Sequence, residues 1–139
     1  MPEIEFFEFN EEGIKPVHNN GRWEINIKNW RELNDVERIC RLEVHYKTDK
    51  QFVLMAGKAV MIWCREDPEK GGEIHATPIE AGKVYNIPSG LWFNNVLSRD
   101  GKLMFVVADG TVLAPDNSVL HNLSPEQAEQ AKRKVRKLI

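Results

Sequence analysis

Gly82, Pro88 and Gly90 stand at fixed intervals and break an otherwise β-prone run in the middle of the chain. Pro88 presets one backbone angle of a tight turn. Gly90, two residues on, tolerates the positive φ that such a turn asks of its third residue. Gly82 plays the same part ahead of Val84–Ile87. Earlier, Gly57 separates two β-prone runs, Gln51–Ala56 and Lys58–Cys64, which predicts a hairpin around it. Turns of this kind belong to β-sandwiches and barrels alike.

The bulk numbers bound the rest. A chain of 139 residues with 42% hydrophobic residues suits one domain with one core. A net charge of −2 and a pI near 6.1 argue against binding nucleic acid by phosphate neutralisation. No apolar run reaches the length of a membrane-spanning helix. The opening Met1-Pro-Glu-Ile-Glu lacks the basic and apolar regions of a signal peptide, so a cytoplasmic protein is expected. Cys40 and Cys64 form no C-x-x-C pair and are expected as buried thiols. A zinc site on them would need two further ligands at zinc spacing.

Periodicity supplies the elements. Ile4–Phe9 is β-prone and is expected to open the fold, with turns at Asn10–Gly13 and Asn19–Gly21. Trp23, Ile25 and Ile27 alternate with Glu24, Asn26 and Lys28, the pattern of a half-buried strand. In the next strand Cys40, Leu42, Val44 and Tyr46 share one face, and Arg41, Glu43, His45 and Lys47 share the other. The apolar face needs a cover, from the N-terminal strand or a second subunit, so a homodimer is expected. A short strand carries His75, while His18 and His121 are expected in loops. Leu103–Ala108 is nearly all apolar, as in a strand covered on both faces. Turns are expected at Ser98–Gly101, Asp109–Gly110 and Pro115–Asn117. Ser124, Pro125 and Gln127 make a capping box at the start of a C-terminal helix, with Ala128, Ala131, Val135 and Leu138 on one stripe. The cations of its last turns suit the negative helix end; a basic patch for an anionic partner is the alternative.

Two motifs carry a family resemblance. Gly82-x5-Pro88-x-Gly90-x2-Phe93-x3-Leu97 resembles the second motif of the cupin superfamily, with phenylalanine and leucine in place of its histidine and asparagine. His45 to Gly57 resembles the first motif: His45 fits the first histidine, Lys47 stands for the second, and Lys50 for the glutamate. The resemblance implies an all-β, cupin-like double-stranded β-helix, or jelly-roll barrel, with a short C-terminal α-helix. It covers residues 1–139 as one cupin domain, with N-terminal strands in 1–37, both motifs in the barrel core 38–108, and the helix at 124–138.

The same resemblance implies a metal site of three histidines and a carboxylate, and the sequence lacks most of it. Phenylalanine offers no lone pair and lysines are donors that repel a cation. No metal and no cofactor are therefore expected. What remains is a concave pocket whose implied ligand-binding residues are His45, Lys47, Lys50, Trp92, Phe93 and Asn95. The lysines favour a small anion or polyol, and the aromatic rings would wall a sugar or ring. Alternatively, Lys47 and Lys50 pair with Glu43 and Asp49 and bind nothing. The resulting reading is a metal-independent cupin holding a small anionic or sugar-like molecule, with no nucleic-acid or membrane partner. The alternative is an enzyme: the resemblance extends to metal-independent sugar epimerases and isomerases. There His45 would be the base, Lys47 the electrophile, and Tyr85 or Tyr46 the acid, with Asp49 as the histidine's partner.

Overall fold

The computed structural model describes residues 1–111 and 118–139. Its strands are β1 (Ile14–Asn19), β2 (Trp23–Asn29), β3 (Arg41–His45), β4 (Lys50–Ala56), β5 (Ala59–Cys64), β6 (His75–Ile79), β7 (Tyr85–Ile87), β8 (Trp92–Leu97), β9 (Lys102–Ala108) and β10 (Ser118–Asn122). One helix, α1, spans Pro125–Arg136. The strands form two antiparallel five-stranded sheets, ordered β1-β2-β9-β4-β7 and β10-β3-β8-β5-β6. The expected turn at Pro115–Asn117 lies outside the described residues.

Alternation along each strand divides the apolar residues between two cores. Phe52, Phe93, Leu103, Phe105 and Val107 pack between the sheets. Leu42, Val44, Val60, Ile62 and Val96 point the other way, onto Ala131 and Val135 of α1. The face of β3 expected to need a second subunit is covered within the chain at its middle, where Leu42 and Val44 are completely buried, and not at its ends, where Cys40 and Tyr46 are exposed. The helix docks as its sequence predicts. Ser124 Oγ accepts from the Gln127 amide at 3.1 Å, and Gln127 Oε1 accepts from the Ser124 amide at 3.1 Å. Two of its terminal cations have partners: Arg136 is held by Glu37 at 3.0 Å and Lys134 donates to the Ile74 carbonyl.

Five expectations are corrected. Residues 1–10 form no strand. β-propensity needs a ladder partner, and here the segment is tied by side chains instead: the Phe9 carbonyl accepts from Asn29 Nδ2 (2.9 Å) and Lys102 Nζ (2.6 Å). The β4–β5 hairpin does not exist either. The strands lie in opposite sheets, and Gly57, at φ +66°, carries the chain across. A Cβ there would stand 2.6 Å from the Asp100 carbonyl oxygen, so the crossing requires glycine. In β9 only Leu103, Phe105 and Val107 are buried, while Met104 and Val106 on the outer face are half-buried. Cys64 is buried but Cys40 is exposed. His18 and His121 lie in β1 and β10 rather than in loops.

Candidate ligand-binding site

The Gly82–Gly90 stretch joins the first motif through its turn. Leu91 N donates to the Pro88 carbonyl at 3.2 Å, with Gly90 at φ +87° inside the turn. The Gly90 amide then donates to the His45 carbonyl at 2.7 Å, and the Ser89 hydroxyl to the Tyr46 carbonyl at 2.6 Å. These bonds fix the end of β3 beside the entry to β8 and aim His45 into the barrel.

A cavity of about 520 Å³ lies there. From β3 it receives Arg41, Glu43 and His45; from β4, Lys50; from β8, Asn95. From β2 it receives Glu24, Asn26 and Lys28, the polar face of a strand whose apolar residues Trp23 and Ile25 look outward. Arg31 and Asn34, from the 3-10 turn and its N-cap after β2, close one side. Arg31 Nε donates to Asn34 Oδ1 at 2.7 Å, and Asn34 Nδ2 to the Asn95 carbonyl at 2.9 Å.

Charge is unevenly met. Among the described residues, four cationic side chains line the cavity, Lys28, Arg31, Arg41 and Lys50, against two carboxylates, Glu24 and Glu43. Glu43 sits between His45 and Lys50: its two oxygens are 3.8 Å from His45 Nε2 and from Lys50 Nζ. The Lys50 ammonium also lies 4.5 Å from the centre of the Phe105 ring and 5.4 Å from that of Phe93, contacts that favour a cation. Lys28 is only 4% exposed and has neither ion pair nor hydrogen bond among the described residues. Both ring nitrogens of His45 are buried without a hydrogen-bond partner. Burial lowers the proton affinity of all three groups. For Lys28, held well below the ordinary lysine range, Arg31 and Lys50 add to the effect; for Lys50, Glu43 opposes it; for His45, Lys50 adds and Glu43 opposes.

The expected site residues divide accordingly. His45, Lys50 and Asn95 line the cavity. Phe93 is fully buried behind them, its ring centre 5.9 Å from that of His45. Trp92 belongs to the core beneath α1, because neighbouring residues of one strand face opposite ways and cannot both wall one pocket. Lys47 is exposed, beyond the end of β3, and does not line the cavity. Tyr85 is half-buried on β7, its hydroxyl accepting from the Glu80 amide at 3.1 Å, also away from the cavity. Tyr46 is exposed. Asp49 is committed to the turn, accepting from the Ser89 amide at 2.9 Å. The sequence reading missed Lys28, Asn26 and Arg31. The signal was the strict alternation of β2, whose polar half faces inward.

No protein-family model and no curated protein matches the chain. Solved structures do. The chain is similar to a variant of Streptomyces PAC13 solved with uridine, at TM-score 0.53 and 11% identity over 84% of this chain and 85% of that one. It is similar to hydroquinone 1,2-dioxygenase from Sphingomonas sp. TTNP3 with 4-hydroxybenzoate bound, at TM-score 0.52 and 11% identity over 70% and 65%. CapF with the inhibitor 3-isopropenyl-tropolone gives TM-score 0.51 and 17% identity over 81% of this chain and 33% of that one. A cupin-2 domain protein from Shewanella frigidimarina also aligns, at TM-score 0.48, 17% identity, and 70% and 82% coverage. The two sheets, and the three neighbours above TM-score 0.5, show the all-β jelly-roll fold that the cupin resemblance implied.

The metal that the resemblance implies does not fit this donor set. Of the groups turned into the cavity, the imidazole of His45 and the carboxylates of Glu43 and Glu24 can give lone pairs to a metal, and Glu43 already faces Lys50. The neighbouring ammonium and guanidinium groups repel a divalent ion. Among the described residues, no group of three or more His, Cys, Asp or Glu side chains is arranged to hold one. No described helix is long and apolar enough to cross a membrane.

Proposed function

We propose that the barrel binds a small anionic molecule without a metal. The observation that carries this reading is the charge of the cavity: Lys28, Arg31, Arg41 and Lys50 line it against the carboxylates Glu24 and Glu43 alone among the described residues, and Lys28 is buried with no ion pair there. Burying cationic groups with too few counter-charges costs several kcal/mol by order of magnitude, and a bound anion offsets that cost. Arg31, Arg41 and Lys50 add donors suited to carboxylate or phosphate, and the amides of Asn26 and Asn95 add neutral ones suited to hydroxyls of a sugar-like ligand. Of the face that motivated a homodimer, Leu42 and Val44 are buried within the chain, and Cys40 and Tyr46 at its two ends are exposed. Isothermal calorimetry with phosphate, pyruvate, lactate and a neutral sugar tests the reading. Saturable binding of at least one anion, weakened by salt, supports it. Binding of none of the anions refutes it.

A second reading rests on the contact between His45 and Glu43. A buried neutral imidazole beside a carboxylate can remove a proton next to a carbonyl, so a metal-independent sugar epimerase or isomerase with His45 as base stays in view. Its expected acid and electrophile, Tyr85 and Lys47, lie elsewhere, which leaves Arg41 or Lys50 to steady an enolate. Deuterium uptake from heavy water into a bound sugar nucleotide, lost in His45→Asn, would favour it over simple binding.

A further inference from the structure

We infer that the Lys28 amine is a nucleophile that condenses with a small anion bearing a ketone or aldehyde, a 2-oxo acid, to form an imine. The inference rests on the anion-binding reading above and names the ligand class of that same cavity.

The two buried lysines are held differently. Lys50 faces the Glu43 carboxylate at 3.8 Å and the Phe105 ring at 4.5 Å, surroundings that keep an ammonium. Lys28 has no carboxylate at ion-pair distance, and its charged neighbours include Arg31, Lys50 and Arg41 as well as the single carboxylate Glu43. Buried beside such neighbours, a primary amine lowers its free energy by shedding its proton. Guanidinium groups cannot do the same, so the arginines stay charged. The cavity therefore joins fixed cations to an amine with a free lone pair. A lysine desolvated beside another cation is a recognised way to activate an amine towards carbonyl compounds.

The step balances. The Nζ lone pair attacks the carbonyl carbon and the carbonyl π pair moves to oxygen. That oxygen takes a proton, giving a carbinolamine. Loss of the hydroxyl with a second proton, as water, leaves the C=N bond. The nitrogen gives up both hydrogens and nothing is oxidised. Glu24 and Glu43 are the carboxylates that line the cavity, and water carries those protons between the amine and either of them. Arg31 and Arg41 supply donors for the ligand carboxylate, which would place its neighbouring carbonyl towards β2.

The test uses the full chain with pyruvate and sodium cyanoborohydride, the latter reducing any imine to a stable secondary amine. Intact mass and peptide mapping locate the adduct, and calorimetry measures pyruvate binding in parallel. The expected result is one adduct per chain, on Lys28, suppressed by lactate, which has the same charge and no carbonyl. In Lys28→Met, labelling falls to the background of the exposed lysines. Mapping on the wild type locates the adduct even if that variant folds poorly. If pyruvate binds but no adduct forms, or the label spreads evenly over surface lysines, the inference fails and anion binding stands. If neither pyruvate, lactate nor phosphate binds, the anion reading itself fails, and the inference with it.

Discussion

Lys28 and Lys50 enter one cavity from β2 and β4, strands separated in the sheet by β9, and only Lys50 has a carboxylate at ion-pair distance. The asymmetry gives the two residues separable effects. Lys28→Met removes a buried amine and keeps the volume. The unliganded variant is expected to be more stable than the wild type by about 1–3 kcal/mol, the range seen when an ill-satisfied buried polar group gives way to a packed apolar side chain. Urea unfolding in an anion-free buffer measures it, and a clear loss of stability would contradict the account of Lys28 as a strained site residue.

Lys50→Met should act in the opposite sense on binding. It removes a charged donor from the cavity floor and leaves Glu43 facing His45 alone. Affinity for a carboxylate ligand should fall by about 1–3 kcal/mol, the usual worth of a lost charge-assisted hydrogen bond. Calorimetry reads this directly, and unchanged affinity would remove Lys50 from the site.

The lowered proton affinity of Lys28 also sets a direction for stability with pH. Burial is the main cause, with Arg31, Lys50 and Arg41 adding to it and Glu43 opposing. Between the lowered native value and the ordinary lysine range, the unfolded chain holds a proton that the native chain does not. Stability therefore rises with pH across that interval. Lys50 contributes in the same direction, so the informative quantity is the difference between wild type and Lys28→Met. The variant's lead should shrink as pH rises through the interval. Parallel stability curves would show that Lys28 does not titrate there.

Gly57→Ala tests the crossing between sheets. The substitution places a Cβ 2.6 Å from the Asp100 carbonyl oxygen at φ +66°, so backbone must shift. A loss of about 2 kcal/mol or more is expected, against about zero for an unstrained exposed site. Thermal or urea unfolding decides it.

Ser124→Ala removes the oxygen that accepts from the Gln127 amide, and should cost about 1 kcal/mol. Because Ala131 and Val135 of α1 close a cluster that holds Val60 and Ile62 of β5, the variant should also bind a hydrophobic dye at a lower denaturant concentration than the wild type. Loss of stability without that earlier dye binding would show that the helix does not open separately from the barrel.

Much of the frame was legible in local chemistry. Gly90 and Pro88 mark a turn because few other residues suit those angles, and Ser124 with Gln127 marks a helix start because each satisfies the other's backbone. The site was legible only where alternation was tied to a known inward residue: His45 fixed the direction of Glu43 and Arg41. In β2 no residue gave the direction. Hydrophobic residues usually face inward, but here Asn26 and Lys28 do, since the barrel end they line is polar. Trp92 failed for a related reason: a motif gives positions along a strand, and adjacent positions point to opposite cores. Gly57 was read as a hairpin because sequence shows a break between two strands and not which sheet each joins.

That same crossing shapes how the chain must assemble. β4 and β5 are neighbours in sequence but lie in opposite sheets, and β2, paired on one side with β1, finds its other partner only in the distant β9, with Lys28 opposite Leu103. Few pairings can form locally, so the entropy of closing long loops comes before any reward from contacts. Such a chain is expected to fold on the millisecond-to-second scale of non-local β-proteins. Lys28 lines a cavity assembled from β2, β3, β4 and β8, so the unusual chemistry of its amine belongs to the closed barrel and to no local segment of it.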